Sequence, residues 1–167
     1  MSLNQKVIIR PAGQDDFDAL CELYYEFHQF HVRGVPDRLV SLGDEDKFDS
    51  TELREALQKI LDDDDAIILA AEIDGRIVGL AEVYVRQDKA HPLRVTPRYG
   101  DLQSLIVNES YRRYGIGRKL TEAAEKWAKE KGAVEMQLDI WEFGKGPLDF
   151  YNRLGYRTIR RKMVREI

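Results

Sequence analysis

The chain has a single cysteine, Cys21, and so cannot close a disulfide within itself; that composition suits a reducing compartment. It has no apolar run of bilayer length and no signal-peptide pattern, which points to the cytoplasm and away from membranes. It has no excess of positive charge either. A formal net charge of −4 argues against broad nucleic-acid binding, which draws on a basic face. The six-residue G-x-G-x-x-G pattern is missing, as is a glycine-rich loop ending in lysine and serine or threonine. Their absence sets aside the common dinucleotide and nucleoside-triphosphate sites. No repeat, low-complexity stretch or linker divides the 167 residues, and 43% of them are hydrophobic. One cored domain over residues 1–167 is expected.

Within that frame the elements follow in order. Val7, Ile8 and Ile9 read as a strand. Phe17, Leu20, Cys21, Tyr24, Phe27, His28 and His31 recur at helical spacing and give the next segment an apolar face. Residues 34–49 read as a loop. A helix capped by Asp49 or Ser50 buries Leu53, Ala56, Leu57, Ile60 and Leu61. The acidic run Asp62, Asp63, Asp64, Asp65 opposes the helix dipole and reads as a solvated stop. Residues 66–72 and 77–85 are strands joined by Asp74-Gly75, a pair suited to a two-residue hairpin. Residues 101–107 form a strand and residues 116–131 an amphipathic helix. Residues 134–141 alternate like a strand, Gly146 or Pro147 opens a short helix through Leu154, and residues 156–164 read as a last strand or hairpin.

Metal chemistry finds little support. His28 and His31 stand three apart near Glu26, but no third ligand falls at a zinc-type spacing. The aspartate run lacks the spacing and glycine of a calcium loop. No metal is expected. Cys21 falls on an apolar helix face with no activator implied, and reads as a small buried hydrophobe rather than a nucleophile.

The most informative stretch is residues 105–120. A strand ends at Leu105, Ile106 and Val107, a polar turn follows, and Arg112, Arg113, Tyr114, Gly115, Ile116, Gly117, Arg118 and Lys119 lead into a helix. Glycines remove side chains where a ligand must approach the backbone. A helix N-terminus supplies free N–H groups and partial positive charge, and the basic residues add full charges. The combination is an anion site, best suited to a pyrophosphate.

These residues resemble the GNAT-type N-acetyltransferases. That family's glutamine or arginine, two residues, glycine, one residue, glycine or alanine is matched by Arg112 to Gly117. A tyrosine ahead of a glycine–aromatic pair is matched by Phe150, Tyr151, Asn152, Arg153, Leu154, Gly155 and Tyr156. The resemblance covers essentially the whole chain. It departs where family members often carry asparagine and alanine and this chain has Gly144 and Pro147. The resemblance implies an α/β (α+β) fold: a mixed twisted sheet of six to seven strands flanked by about four helices, its parallel strands splayed at the donor site. It implies acetyl-CoA as acetyl donor, coenzyme A as product, and a primary amine of a small molecule or protein as acceptor, with direct attack through a tetrahedral intermediate. It is compatible with a homodimer.

The residue roles follow from the same resemblance. The pyrophosphate would lie on the backbone of residues 114–119, ringed by Arg112, Arg113, Arg118 and Lys119. The pantetheine arm would bond to Leu105, Ile106 and Val107 as an added strand, and Asn152 would touch the donor. Val107 N–H would stabilise the oxyanion, and Tyr151 would protonate or hydrogen-bond the leaving thiolate. An alkylamine with a pKa of about 10 needs a base; Asp101 and Glu82 are the two candidates. Tyr24, Tyr25, His28 and His31 would shape the acceptor pocket. A non-catalytic coenzyme A-binding regulatory or sensor module of the same fold is the competing reading.

Overall fold

The computed structural model describes residues 6–42, 51–144 and 146–167. Five strands form one sheet in the order β1 (Ile8–Pro11), β2 (Ala66–Ile73), β3 (Arg76–Gln87), β4 (Arg98–Val107) and β5 (Glu135–Gln137). The first four are antiparallel neighbours, and β4 pairs with β5 in parallel. Helix α1 (Phe17–Gly34) and helix α2 (Thr51–Leu61) lie between β1 and β2. Helix α3 (Ile116–Glu130) crosses from β4 to β5, and α4 (Pro147–Arg153) follows. Asp74 and Gly75 both take positive φ, 49° and 78°, which is the conformation their two-residue hairpin requires.

Alternation along the strands builds two cores. On one face Ile68, Leu80 and Ile106 meet Phe17, Leu20 and Leu23 of α1 and Leu57 of α2. On the other, Leu69, Ala71, Ala81, Val83 and Leu102 meet Ile116, Leu120 and Ala124 of α3. The α3 residues recur every four positions, so one stripe of the helix is apolar while the rest is solvated. Leu20, Leu80 and Leu120 are fully buried, each worth on the order of 2 kcal/mol of apolar transfer. Cys21 is buried at 3% exposure, as its helical face requires.

Three expectations need correction. Among the described residues the sheet has five strands rather than about six or seven. Residues 156–164 form no strand; Ile159, Met163 and Val164 are exposed. A segment that could lie extended still needs a neighbouring strand to pair with. The expected strand over 134–141 shrinks to Glu135–Gln137, because β4 offers a parallel ladder only at Tyr99, Gly100 and Asp101. Leu138 and Ile140 still pack on the α3-side core without pairing. The Asp49 or Ser50 cap and part of the 34–49 loop lie outside the described residues. Among the described residues no helix is long and apolar enough to cross a membrane.

Candidate active site

Strand β4 changes character along its length. Val83 pairs with Leu102 and Glu82 with Ser104, so Gln103 is an extra residue bulged out of the ladder. From Tyr99 to Asp101 the strand is held on both sides; beyond Gln103, among the described residues, only β3 pairs with it. The two parallel strands therefore part, as the splayed arrangement requires. Asn108 N–H donates to Val78 O at 2.9 Å, facing β3. Backbone direction alternates in an antiparallel ladder. Ile106 thus faces β3 as well, while Leu105 and Val107 turn their N–H groups into the gap. Of the three residues expected to bind an added strand, Ile106 has its amide pointing the wrong way.

Beyond Val107 the Asn108 side chain accepts from Ser110 N at 3.1 Å and caps a short turn, Glu109–Tyr111. Arg113 (φ 70°) and Gly115 (φ 78°) then reverse the chain through left-handed conformations. A β-carbon at Gly115 would meet nothing within 4 Å, so the mouth of the turn is open. Helix α3 starts at Ile116 with no side-chain cap, and its first i→i−4 partner at this end is Lys119 N–H on Gly115 O, 3.1 Å. The amides of Ile116, Gly117 and Arg118 precede that bond and have no intrahelical acceptor. Arg113, Arg118 and Lys119 are exposed around them, as is Tyr114. A polyphosphate ester needs this set: bare amides, a dipole of the right sign, mobile cations and no side chain in the way. Arg112 differs. It donates from Nε to Val107 O at 2.9 Å and from Nη2 to Glu26 Oε1 at 3.1 Å, so the structure turns it inward.

Helix α4 closes the other side. Pro147 occupies its first turn after an extended Gly146, a position where proline's missing N–H costs nothing. Gly144 and Pro147 thus leave the helix intact. Phe150 lies against α3 so closely that a β-carbon at Gly117 would come within 3.2 Å of its ring. Tyr151 is buried edge-on between Phe150 and Tyr156, at 5.1 and 5.5 Å. Burial pushes its phenol well above the ordinary range, so it keeps its proton. The Asn152 side chain is exposed.

The base candidates lie together on the α1/α2 face of the sheet. Glu82, 8% exposed, accepts from Tyr24 Oη at 2.6 Å, Tyr84 Oη at 2.8 Å and Ser104 Oγ at 3.0 Å. Burial, and then the Glu82 charge, push both phenols upward. A cleft of about 370 Å³ opens over this group, walled by Leu53, Ala56, Leu57 and Ile60, with Asp63 and Lys59 also lining it. Asp101 is paired opposite Tyr84 and bound to Arg86 Nε at 2.6 Å, while Arg86 stacks on the Tyr84 ring at 4.6 Å. At about 3.3 Å per residue, Glu82 sits level with a point about 10 Å from Val107, and Asp101 about 20 Å away.

Of the residues expected to shape the acceptor pocket, only Tyr24 lines this cleft. His28 Nε2 lies 2.8 Å from Val40 O. His31 is buried in an aromatic cluster with Phe27 and Phe143 at 4.3 and 6.0 Å, its Nδ1 on Phe27 O at 2.9 Å. Tyr25 is half-buried beside Tyr24 and does not line the cleft. Helical spacing places Tyr24, His28 and His31 on one face, but the last turns of α1 pack against the 35–42 loop and Phe143. Among the described residues no three His, Cys, Asp or Glu side chains converge on a metal position. Glu26, Ser104 and the Gln103 bulge were not expected. No local pattern marks any of them, because their partners are remote in sequence.

A mixed sheet whose parallel pair parts beside an uncapped helix N-terminus defines the class of α/β fold. The chain belongs to the Acetyltransferase (GNAT) family, which it matches over residues 18–156. It is 33% identical over 87 residues to an aminoglycoside N(6′)-acetyltransferase type 1 of Stenotrophomonas maltophilia, covering 52% of this chain and 56% of that protein. The match thus spans little more than half the relative's length. In fold it resembles a mutant of the BH1408 protein from Bacillus halodurans, with TM-score 0.86, 23% identity and coverage of 96% of this chain and 99% of that one. It also resembles aminoglycoside N-acetyltransferase AAC(6′)-Iy in complex with CoA, with TM-score 0.69, 18% identity and coverage of 100% and 98%.

Proposed function

We propose that the protein, as one domain, transfers the acetyl group of acetyl-CoA to the primary amine of a small molecule. The observation that carries this reading is the juxtaposition on β4. Its outward Leu105 and Val107 amides run into a bare helix N-terminus, and the buried Glu82 carboxylate stands one strand away at Ser104.

Acetyl-CoA supplies an activated acyl carbon. The chain's residues do the rest. The open amides of residues 116–118, with Arg113, Arg118 and Lys119, hold the pyrophosphate. Leu105 and Val107 bond the pantetheine arm as an added strand would. As the amine attacks, a C–N bond forms and the C–S bond breaks. Val107 N–H meets the charge developing on the acetyl oxygen, a contact worth about 3 kcal/mol. Glu82 receives the amine's proton through water; it is the stronger candidate because it is nearer Val107 and lines the cleft, whereas Asp101 is bound to Arg86. Tyr151, protonated at every working pH, donates a hydrogen bond to the leaving sulfur. A thiol with a pKa of about 8.5 leaves readily as the anion, so a hydrogen bond suffices. The mainly aliphatic walls and the size of the cleft favour a small amine with an apolar body.

The test is thiol release from acetyl-CoA over a panel of amines, with coenzyme A binding followed by calorimetry. Acceptor-dependent release is expected, and Glu82→Gln should lower kcat at least 100-fold, the low end for a general base, while coenzyme A still binds. Binding without release from any amine would favour a coenzyme A-binding sensor. No binding would remove the reading of the Arg112–Gly117 turn.

A further inference from the structure

Helix α1 and the donor turn are joined by one carboxylate. Glu26 Oε1 accepts from the Glu109 backbone N–H at 2.8 Å and from Arg112 Nη2 at 3.1 Å; its Oε2 accepts from Asn108 Nδ2 at 2.9 Å. Arg112 in turn holds Val107 O at 2.9 Å through Nε, and its guanidinium lies over the Phe30 ring at 5.2 Å. A ring thus closes from α1 through Arg112 to the end of β4 and back through Asn108. The acid that completes it stands more than 80 residues upstream.

We propose that Glu26 is a positioning residue for the acetyl donor, acting through Arg112 on Val107. The inference rests on the acetyl-transfer reading above. Val107 is the last residue of β4, and past Gln103 no other strand among the described residues pairs with its open side. Its carbonyl and its N–H both face that side, so the torsions of Val107 decide where the N–H points. Arg112 pins the carbonyl, and Glu26 pins Arg112. The first residue of the signature turn therefore serves the donor from behind, as a brace, rather than by contact with phosphate. Charge-assisted hydrogen bonds hold geometry more firmly than neutral ones. Since α1 also carries Tyr24 against Glu82, the same brace fixes the donor amides relative to the acceptor cleft.

The experiment compares wild type, Glu26→Gln, Arg112→Met and the double variant. Four quantities are read: kcat, the KM of each substrate, the Kd of coenzyme A by calorimetry, and amide hydrogen exchange over residues 105–118. Glutamine keeps the size and one acceptor but loses the charge. The expected result is a rise of about tenfold in donor KM and coenzyme A Kd, an acceptor KM within twofold of wild type, and faster exchange at Glu109 and in the turn. The double variant should be no worse than the worse single one, since both act along one chain of contacts. Melting curves identify a variant that fails to fold, and Glu26→Asp then takes its place. Unchanged donor affinity and exchange in folded Glu26→Gln would overturn the proposal, as would full additivity with Arg112→Met. If wild type neither binds coenzyme A nor releases thiol, the acetyl-transfer reading falls. Exchange alone then decides whether Glu26 braces the turn.

Discussion

The two halves of β4 make the instructive comparison. From Tyr99 to Asp101 the strand has β3 on one edge and β5 on the other, and Gly100 packs directly under Met136 and Ala128. From Ser104 to Val107 it has β3 alone, and the freed edge faces the turn that leads into α3. The same strand is therefore a closed structural member at one end and, among the described residues, an open edge at the other, where the proposed function places the donor. A backbone donor left without a strand partner is a liability in most sheets; under the proposed function it is put to use.

The comparison can be broken at either end. The largest effect is expected at the open end. Tyr151→Phe should lower kcat by about 100-fold, the upper scale of a lost hydrogen bond to a charged group, with coenzyme A affinity little changed. Steady-state kinetics beside calorimetry separates the two. Because burial raises the Tyr151 pKa, its protonated form persists above pH 10, so wild-type activity should rise with amine deprotonation and show no falling limb from this residue below that pH. A falling limb near pH 9 that disappears in Tyr151→Phe would contradict this.

At the closed end the effect should fall on stability. A β-carbon at Gly100 would lie 2.7 Å from the Ala128 β-carbon and closer still to the Met136 sulfur. Gly100→Val should cost about 1–3 kcal/mol by overpacking, at roughly 2–4 °C of Tm per kcal/mol in a chain of this size. Turnover per folded molecule should remain close to wild type. Equal losses of stability and turnover would mean that the two halves are not separable.

The smallest effect sharpens the contrast from outside β4. Asp16 is held below the ordinary carboxylate range chiefly by its hydrogen bond with Arg10, against the opposing effect of burial. A depressed folded pKa stabilises the fold above the unfolded value of about 3.9 and is lost as pH falls through the folded one. Asp16→Asn should therefore flatten the acid side of the stability curve below about pH 4 and leave kinetics at pH 7 untouched. Denaturant melts across pH give the answer.

Much of this was legible beforehand because the signals were local. The Asp74-Gly75 hairpin, the α3 stripe of Ile116, Leu120 and Ala124, and the Gly115–Gly117 turn each carry their cause within a few residues. So does Tyr151 in its short helix. What escaped depends on pairing. Residues 156–164 have no strand neighbour among the described residues, and residues 138–141 lose theirs when β4 turns away. Nothing near Glu26 announces Arg112. Nothing near His31 announces Phe143, which draws it out of the cleft. The preference for Glu82 over Asp101 in the proposed function likewise draws on register, cleft lining and the Arg86 ion pair, none of which is local in sequence.

The extra residue at Gln103 also changes the parity of β4. Before it, the even positions Gly100 and Leu102 face α3; after it, the even positions Ser104 and Ile106 face α1 and α2. Asp101 and Ser104 therefore stand on the same face of the sheet although one is odd and the other even. A strand of uniform phase would present one of them to that face and bury the other under α3. Inserting or deleting one residue between positions 98 and 107 would exchange those faces without altering composition, whereas a change of two would preserve them. The bulge thus keeps the neighbourhoods of Glu82 and Asp101 on the α1/α2 side of the sheet.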